Sequence, residues 1–213
     1  MNKFPNLRQP KGSAYCGPYC IVACLYALKL LPHVLLTEIN KYNFKEKNFN
    51  GELVDLTSAY NLNELALKIY SVTGILSEGK DPAYIDGSGS NSLAAVLYVL
   101  NKLGLKTEVV IADSTHYTYL QTLFPFEFEL LNQLKAPITV LNDQPAMLGG
   151  QLLISVIAFP DSLHFVANND KGEWFDSELN DHQLNWDAIE QWDTSSNKRE
   201  KATWLGISIR VSI

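Results

Sequence analysis

Three cysteines and four histidines supply every thiol and imidazole of this 213-residue chain. One of each stands where its side chain could do chemistry. Gln9-Pro-Lys-Gly-Ser-Ala-Tyr-Cys16-Gly-Pro-Tyr-Cys20 leads straight into the apolar run Ile21 to Leu31, which predicts a cysteine at the start of a buried helix. A thiol attacks as its thiolate, and the unpaired N–H groups and positive dipole end of a helix N-terminus favour that form. Gly12, Ser13, Gly17 and Pro18 surround Cys16 with turn chemistry, and a first-turn proline lacks only an N–H that has no helical partner. Cys16 is thus the candidate nucleophile.

Cys20 and Cys24 follow at four-residue intervals, which on a helix places them along one inward stripe as buried thiols. A structural zinc site needs four ligands, and no fourth lies nearby in sequence. Three thiols also cannot close a disulfide set. The expectation is no metal and no cofactor.

A thiolate nucleophile needs a base. His33 follows Pro32 at a helix end, His116 lies in the polar loop Asp113-Ser-Thr-His-Tyr, and His182 lies in Asn180-Asp-His-Gln; surface roles account for each. His164 opens the β-like run Leu163-His-Phe-Val-Ala after the turn Pro160-Asp-Ser, where an imidazole can be held at the mouth of a sheet. The next run, Glu173-Trp-Phe-Asp-Ser, carries Asp176. Between them, Asn169-Asp-Lys-Gly reads as a type I turn with Gly172 left-handed, forming a three-residue hairpin loop. Asn169 then pairs with Glu173, and Val166 lies opposite Asp176. His164 and Asp176 become same-face diagonal neighbours, whereas a two-residue loop would turn one of them away. Trp174 shares the face of Asp176 and is placed to shield the His–acid bond.

These groups need a scaffold. The nearly all-apolar stretch Tyr19 to Leu31, stopped by Pro32, predicts a central buried helix. Further helices are expected over Leu36 to Tyr42, Asn63 to Val72 with Asn63 as cap, and Leu93 to Leu100 with Ser92 or Asn91 as cap and Gly104 as terminator. Ser77 to Ser92 reads as a long loop suited to lining a groove. Its Gly-Ser-Gly-Ser lacks the Lys-Ser/Thr of a phosphate-binding loop. After Gly104, β-branched runs predict strands at Thr107–Ala112, Ile138–Leu141, Leu152–Phe159, Leu163–Asn168, Glu173–Ser177 and Leu205–Ser212, with helices around Phe126–Leu134 and Asn185–Trp192. The expected class is α+β with a mainly antiparallel sheet, as a single domain over residues 1–213. It would have a helical lobe to about residue 104 and a β-rich lobe from about 105.

Composition narrows the function classes. Hydrophobic residues make up 46% of the chain and charged residues 19%, a globular balance. The net charge of −6, with Lys and Arg scattered, carries no footprint for nucleic acid and none for an anionic membrane. No apolar leader precedes Cys16 and the run after it is too short to span a bilayer. Free thiols in odd number fit a reducing compartment. The chain is therefore expected to be cytoplasmic at synthesis, with signal-independent secretion compatible. Sequence gives no oligomeric state.

Gln9, the Tyr15-Cys16-Gly17 junction, His164-Phe-Val and Trp174-Phe-Asp176, in this chain order, resemble the papain-like cysteine peptidase superfamily. The nearest likeness is the branch of bacteriocin-leader peptidases and phytochelatin synthases. The resemblance frames nearly the whole chain and implies a papain-like α+β fold. It implies Cys16 as nucleophile, His164 as general base and then acid, Asp176 as orienter of the imidazole, and Gln9 as an oxyanion donor beside the Cys16 N–H. Gln9 stands one residue farther from the cysteine than is usual, so the loop must absorb a residue or another donor must serve. The implied reaction is hydrolysis of a peptide or amide bond through an acyl-enzyme, with a peptide or protein as substrate. Alternatives on the same triad are a glutamine deamidase and an acyl or peptidyl transferase; an inactive binding module is another. A thiol redox protein is disfavoured because no Cys-x-x-Cys occurs. Neither a propeptide-activated lysosomal protease nor a leader-processing exporter matches the layout. Small bacterial effectors that modify host proteins share the fold class, by analogy alone.

Overall fold

Residues 16–27 have no polar face, so a helix formed there is stable only when surrounded. In the computed structural model, which describes residues 3–31, 38–79, 81–179 and 184–213, α1 spans Cys16–Ala27 and every residue in it except Tyr26 is buried. Each large apolar side chain so buried contributes about 1.5–3 kcal/mol, which favours one central position for this helix. It packs against α2 (Leu62–Thr73), α3 (Leu93–Lys102) and one strand of the main sheet, β6 (Ser162–Asn169).

Two short strands, β1 (Glu38–Asn40) and β2 (Leu53–Asp55), pair antiparallel in the first half. The helix expected over Leu36 to Tyr42 is therefore absent where the chain is described, since Glu38–Asn40 is strand; Leu36 and Thr37 lie outside the described residues. Only Ile39 is fully buried between outward neighbours, a period-2 arrangement. Pairing with β2 and the bond from Asn40 N–H to Tyr98 Oη (3.1 Å) override local helix preference. Helix α2 begins one residue before Asn63, at Leu62: Asn61 is its cap and accepts from the Glu64 N–H at 3.0 Å. Asn63 instead accepts a hydrogen bond from Tyr19 Oη at 2.8 Å. Ser92 caps α3, as one of the two expected candidates.

The main sheet has six strands in the order β4-β3-β8-β5-β6-β7, comprising β3 (Lys106–Ile111), β4 (Ile138–Val140), β5 (Leu152–Phe159), β6, β7 (Trp174–Phe175) and β8 (Thr203–Ser212). Every neighbouring pair is antiparallel except β3 with β4. The fold is α+β. One sheet face supplies Val109, Ile111, Leu152, Ile154, Phe165, Ala167, Phe175, Ile207 and Ile209 to the core that holds α1. The other supplies Val110, Leu153, Ile157, Val166 and Trp174 to a second cluster with Ile189 and Trp192.

Two helices follow β3: α4 (Ser114–Leu123) and α5 (Pro125–Gln133). Helix α5 matches expectation within a residue, but α4 replaces the polar loop expected around His116. Asp113 caps it, accepting from the His116 N–H at 2.9 Å, and Leu120 is its one buried residue. A helix carrying so narrow an apolar stripe leaves little periodic signal. The helix expected over Asn185–Trp192 reduces to a single 3-10 turn at Ile189–Gln191. The indoles of Trp174 and Trp192 bond the carbonyls of Trp186 and Asp187, at 2.9 and 3.0 Å, which diverts acceptors that a helix would use.

Candidate active site

The first turn of α1 is built around Cys16. Tyr15 is the N-cap, and no side chain caps this end, so the leading amides keep their hydrogens for other partners. Cys16 is 7% exposed. Cys20 and Cys24 are buried deeper on the same helix, and burial pushes both thiols far above the ordinary range. Those two thiols stay protonated.

His164 comes from the β5–β6 hairpin and Asp176 from just beyond β7. The turn between their strands has the expected form: Gly172 has φ +77°, its N–H donates to Asn169 O at 3.1 Å, and the Asn169 N–H donates to Glu173 O at 3.0 Å. Asn169 Oδ1 also accepts from the N–H groups of Lys171 and Glu173. In the resulting register Asn168 faces Trp174 and Ala167 faces Phe175. Continued by one residue, this sets Asp176 diagonal to His164, and the two side chains meet with His164 Nε2 2.8 Å from Asp176 Oδ1. Both side chains are at most 5% exposed. Trp174 packs against Trp186 and Trp192 at centroid distances of 5.6 and 5.0 Å.

Cys16 interacts with the His164 ring and raises its affinity for a proton. With Nε2 bonded to the carboxylate, Nδ1 is the nitrogen that remains for sulfur. Burial alone would lower the affinity of His164 for a proton, but the bonds to Asp176 and Cys16 outweigh it and push its pKa up to about 10. Burial raises the Asp176 pKa, yet its bond to His164 and the nearby Arg199 charge bring the net shift below the ordinary carboxylate value. The arrangement holds a protonated imidazole between a carboxylate and a sulfur.

Asp176 has other partners. The Glu178 N–H donates to Oδ1 at 2.9 Å. Arg199 Nε stands 3.0 Å from Oδ2 as a charge contact without hydrogen-bond alignment, and Arg199 Nη2 bonds Glu178 Oε2 at 3.1 Å. His164, Asp176 and Glu178 form the one cluster of metal-ligating type among the described residues. Within it Arg199 already supplies positive charge to both carboxylates.

Gln9 is 4% exposed and tied on both sides. Its Oε1 accepts from Ser177 Oγ at 2.7 Å, its backbone N–H donates to Ser177 O at 2.9 Å, and its Nε2 donates to Ser13 O at 2.8 Å. The extra residue before Cys16 sits in a tight turn: the Ser13 N–H reaches Pro10 O at 3.1 Å, with Gly12 at φ +75° as a type II turn demands. Gln9 therefore reaches the strand end that carries Asp176.

A family model described as Invasion plasmid antigen J, cysteine protease, matches residues 8–212. The chain belongs to this family. The match covers nearly the whole chain, Gln9, Cys16, His164 and Asp176 included, and its description makes this a cysteine peptidase family with peptide or protein as the substrate class. Searches of curated proteins and of solved structures return no significant match.

In this Invasion plasmid antigen J family member the other described histidine, His116, lies on α4. His116 Nδ1 pairs with Asp113 on α4 at 2.9 Å, and His33 and His182 lie outside the described residues. Sequence reasoning missed Asn91 beside Cys16, Ser177 behind Gln9, and Arg199 beside Asp176. Only Asn91 had drawn notice, as an alternative cap. Long-range contacts of this kind leave no periodic or turn signal in a single sequence.

Proposed function

We propose that this chain is a papain-like cysteine peptidase that works through a Cys16–His164–Asp176 triad and an acyl-enzyme. The single observation that carries the reading is the buried His164–Asp176 bond of 2.8 Å, on an imidazole that also interacts with Cys16. Sulfur attacks the carbonyl carbon of the scissile bond, forming a C–S bond as charge passes to the oxygen. His164 gives its proton to the departing amine. It then takes a proton from water as water displaces the thiolate, and Asp176 holds the ring throughout.

The oxyanion has two donors available in this reading. One is the Cys16 backbone N–H at the uncapped helix start. The other is the second amide hydrogen of Gln9 Nε2, since its first is held by Ser13 O. Packing of α1 on β6 supports treating residues 1–213 as one catalytic domain with two lobes. The family description supports the further reading that the protein acts as a bacterial effector. No helix among the described residues is long and apolar enough to cross a membrane.

Incubation with a mixed peptide library, with new termini read by mass spectrometry, tests the reaction. Cleavage by the wild type that disappears in both Cys16→Ser and His164→Ala is the expected result. Ammonia release without new termini would replace peptidase by deamidase, and turnover surviving in Cys16→Ser would overturn the triad.

A further inference from the structure

Asn91 donates the one hydrogen bond to the Cys16 sulfur found among the described residues. It immediately precedes Ser92, the cap of α3, and is almost fully buried. Its Nδ2 lies 3.7 Å from Cys16 Sγ and 2.7 Å from Ala14 O. Its Oδ1 accepts from Thr73 Oγ1 at 2.7 Å, and Thr73, the last residue of α2, is itself fully buried. The carbonyl of Ala14 can only accept, so the NH₂ group must be the end of the carboxamide that faces Ala14 and the sulfur. Two helices and the lead-in to a third thus converge on one amide: α2 supplies the hydroxyl that orients it, the residue before the α3 cap supplies the amide, and α1 supplies the sulfur it faces.

The residue after the nucleophile is shaped by the same contact. A Cβ added to Gly17 would lie 2.8 Å from Asn91 Cγ and 3.0 Å from Oδ1. Gly17 needs no positive φ; its lack of a side chain is what lets Asn91 come alongside the first turn of α1.

We propose that Asn91 is a further catalytic residue of this site, donating an N–H to the Cys16 sulfur and so holding it in its charged form opposite His164. This inference rests on the triad reading. A neutral thiol is a weak acceptor, whereas a thiolate is a strong one, so a fixed, desolvated N–H donor stabilises the ionised state preferentially. When the sulfur becomes acylated the negative charge leaves it. The Asn91 contact is strongest before attack and again when the thiolate is expelled in deacylation.

The test is the pH profile of Cys16 alkylation by iodoacetamide in the full chain, quantified at that residue by peptide mass spectrometry. Asn91→Ala should move the profile up by about one pH unit and slow labelling at pH 7 about tenfold. Asn91→Asp, near in size, should move it further because it sets a carboxylate where the donor stood. Thr73→Val, which leaves the carboxamide but removes its anchor, should move it the same way by less. A merely structural role would lower the melting temperature and leave the profile in place. Profiles of the folded variants that overlay the wild type overturn the inference while the triad stands, provided His164→Ala still abolishes selective labelling. If wild-type Cys16 itself labels no faster than Cys20 and Cys24, the triad reading falls and this inference with it.

Discussion

His164 Nε2 and Asp176 Oδ1 lie 2.8 Å apart although they belong to successive strands and are separated by a hairpin turn. The distance depends on Gly172. A three-residue loop with left-handed Gly172 keeps both side chains on one side of the hairpin, whereas a change of one residue in loop length would send them to opposite sides. Since His164 is held with a pKa of about 10, NMR titration of its ring should show the imidazolium persisting to alkaline pH. In Asp176→Asn the midpoint should fall toward the ordinary value near 6.5.

The same shift has a consequence for stability. A histidine whose pKa is raised on folding stabilises the folded state fully below its unfolded value and loses that contribution as pH rises through its folded value. Wild type should therefore exceed Asp176→Asn in unfolding free energy by about 1.5–3 kcal/mol near pH 6. The gap should narrow progressively toward pH 10. Urea melts at a series of pH values measure it.

On the acid side, Arg199 adds to the larger effects of His164 and the Glu178 N–H on Asp176. Asp176 has a lowered pKa, so its contribution is present above the unfolded carboxylate value and lost as pH falls through the folded one. Arg199→Gln removes the positive charge 3.0 Å from Oδ2, which brings the folded pKa back toward the ordinary value. Acid unfolding followed by circular dichroism should then begin at a higher pH than in wild type.

Gly17→Ala forces a methyl group against an amide that is anchored by Thr73 and Ala14. Overpacking of this kind costs about 1–3 kcal/mol. The variant should remain folded, with a lower melting temperature, and alkylate more slowly at Cys16.

Gln9 can be separated from the nucleophile by choice of probe. A peptide aldehyde captured by Cys16 forms a tetrahedral oxyanion, whereas iodoacetamide does not. Gln9→Ala should weaken aldehyde capture by about tenfold or more, with little change in iodoacetamide labelling. Equal aldehyde affinity in the two proteins would remove Gln9 from the oxyanion site.

Much of the frame was legible because its signals are local. The apolar run after Cys16, the Ser92 cap, and the Asn169-Asp-Lys-Gly turn each act within a few residues, and each is present in the fold, although α1 ends at Ala27 and not at Leu31. Segments 38–40 and 185–192 were misread because their conformation is settled by distant partners, β2 in one case and the tryptophan cluster in the other. Around the site, the Gln9–Ser177 and Asn91–Ala14 bonds join residues far apart in the chain. A single sequence holds the side chains for such contacts but not their pairing. The one-residue offset of Gln9 is resolved by a type II turn at Gly12, a local device whose effect becomes visible only with Ser177 in place.

Cys16 should differ chemically from the other two thiols because of its interaction with His164. Alkylation of the folded protein by iodoacetamide at pH 7, quantified separately at Cys16, Cys20 and Cys24, measures this directly. Rapid modification at Cys16 alone, with loss of that selectivity in His164→Ala, is the expected result. Equal modification of all three thiols, appearing only on unfolding, would contradict it.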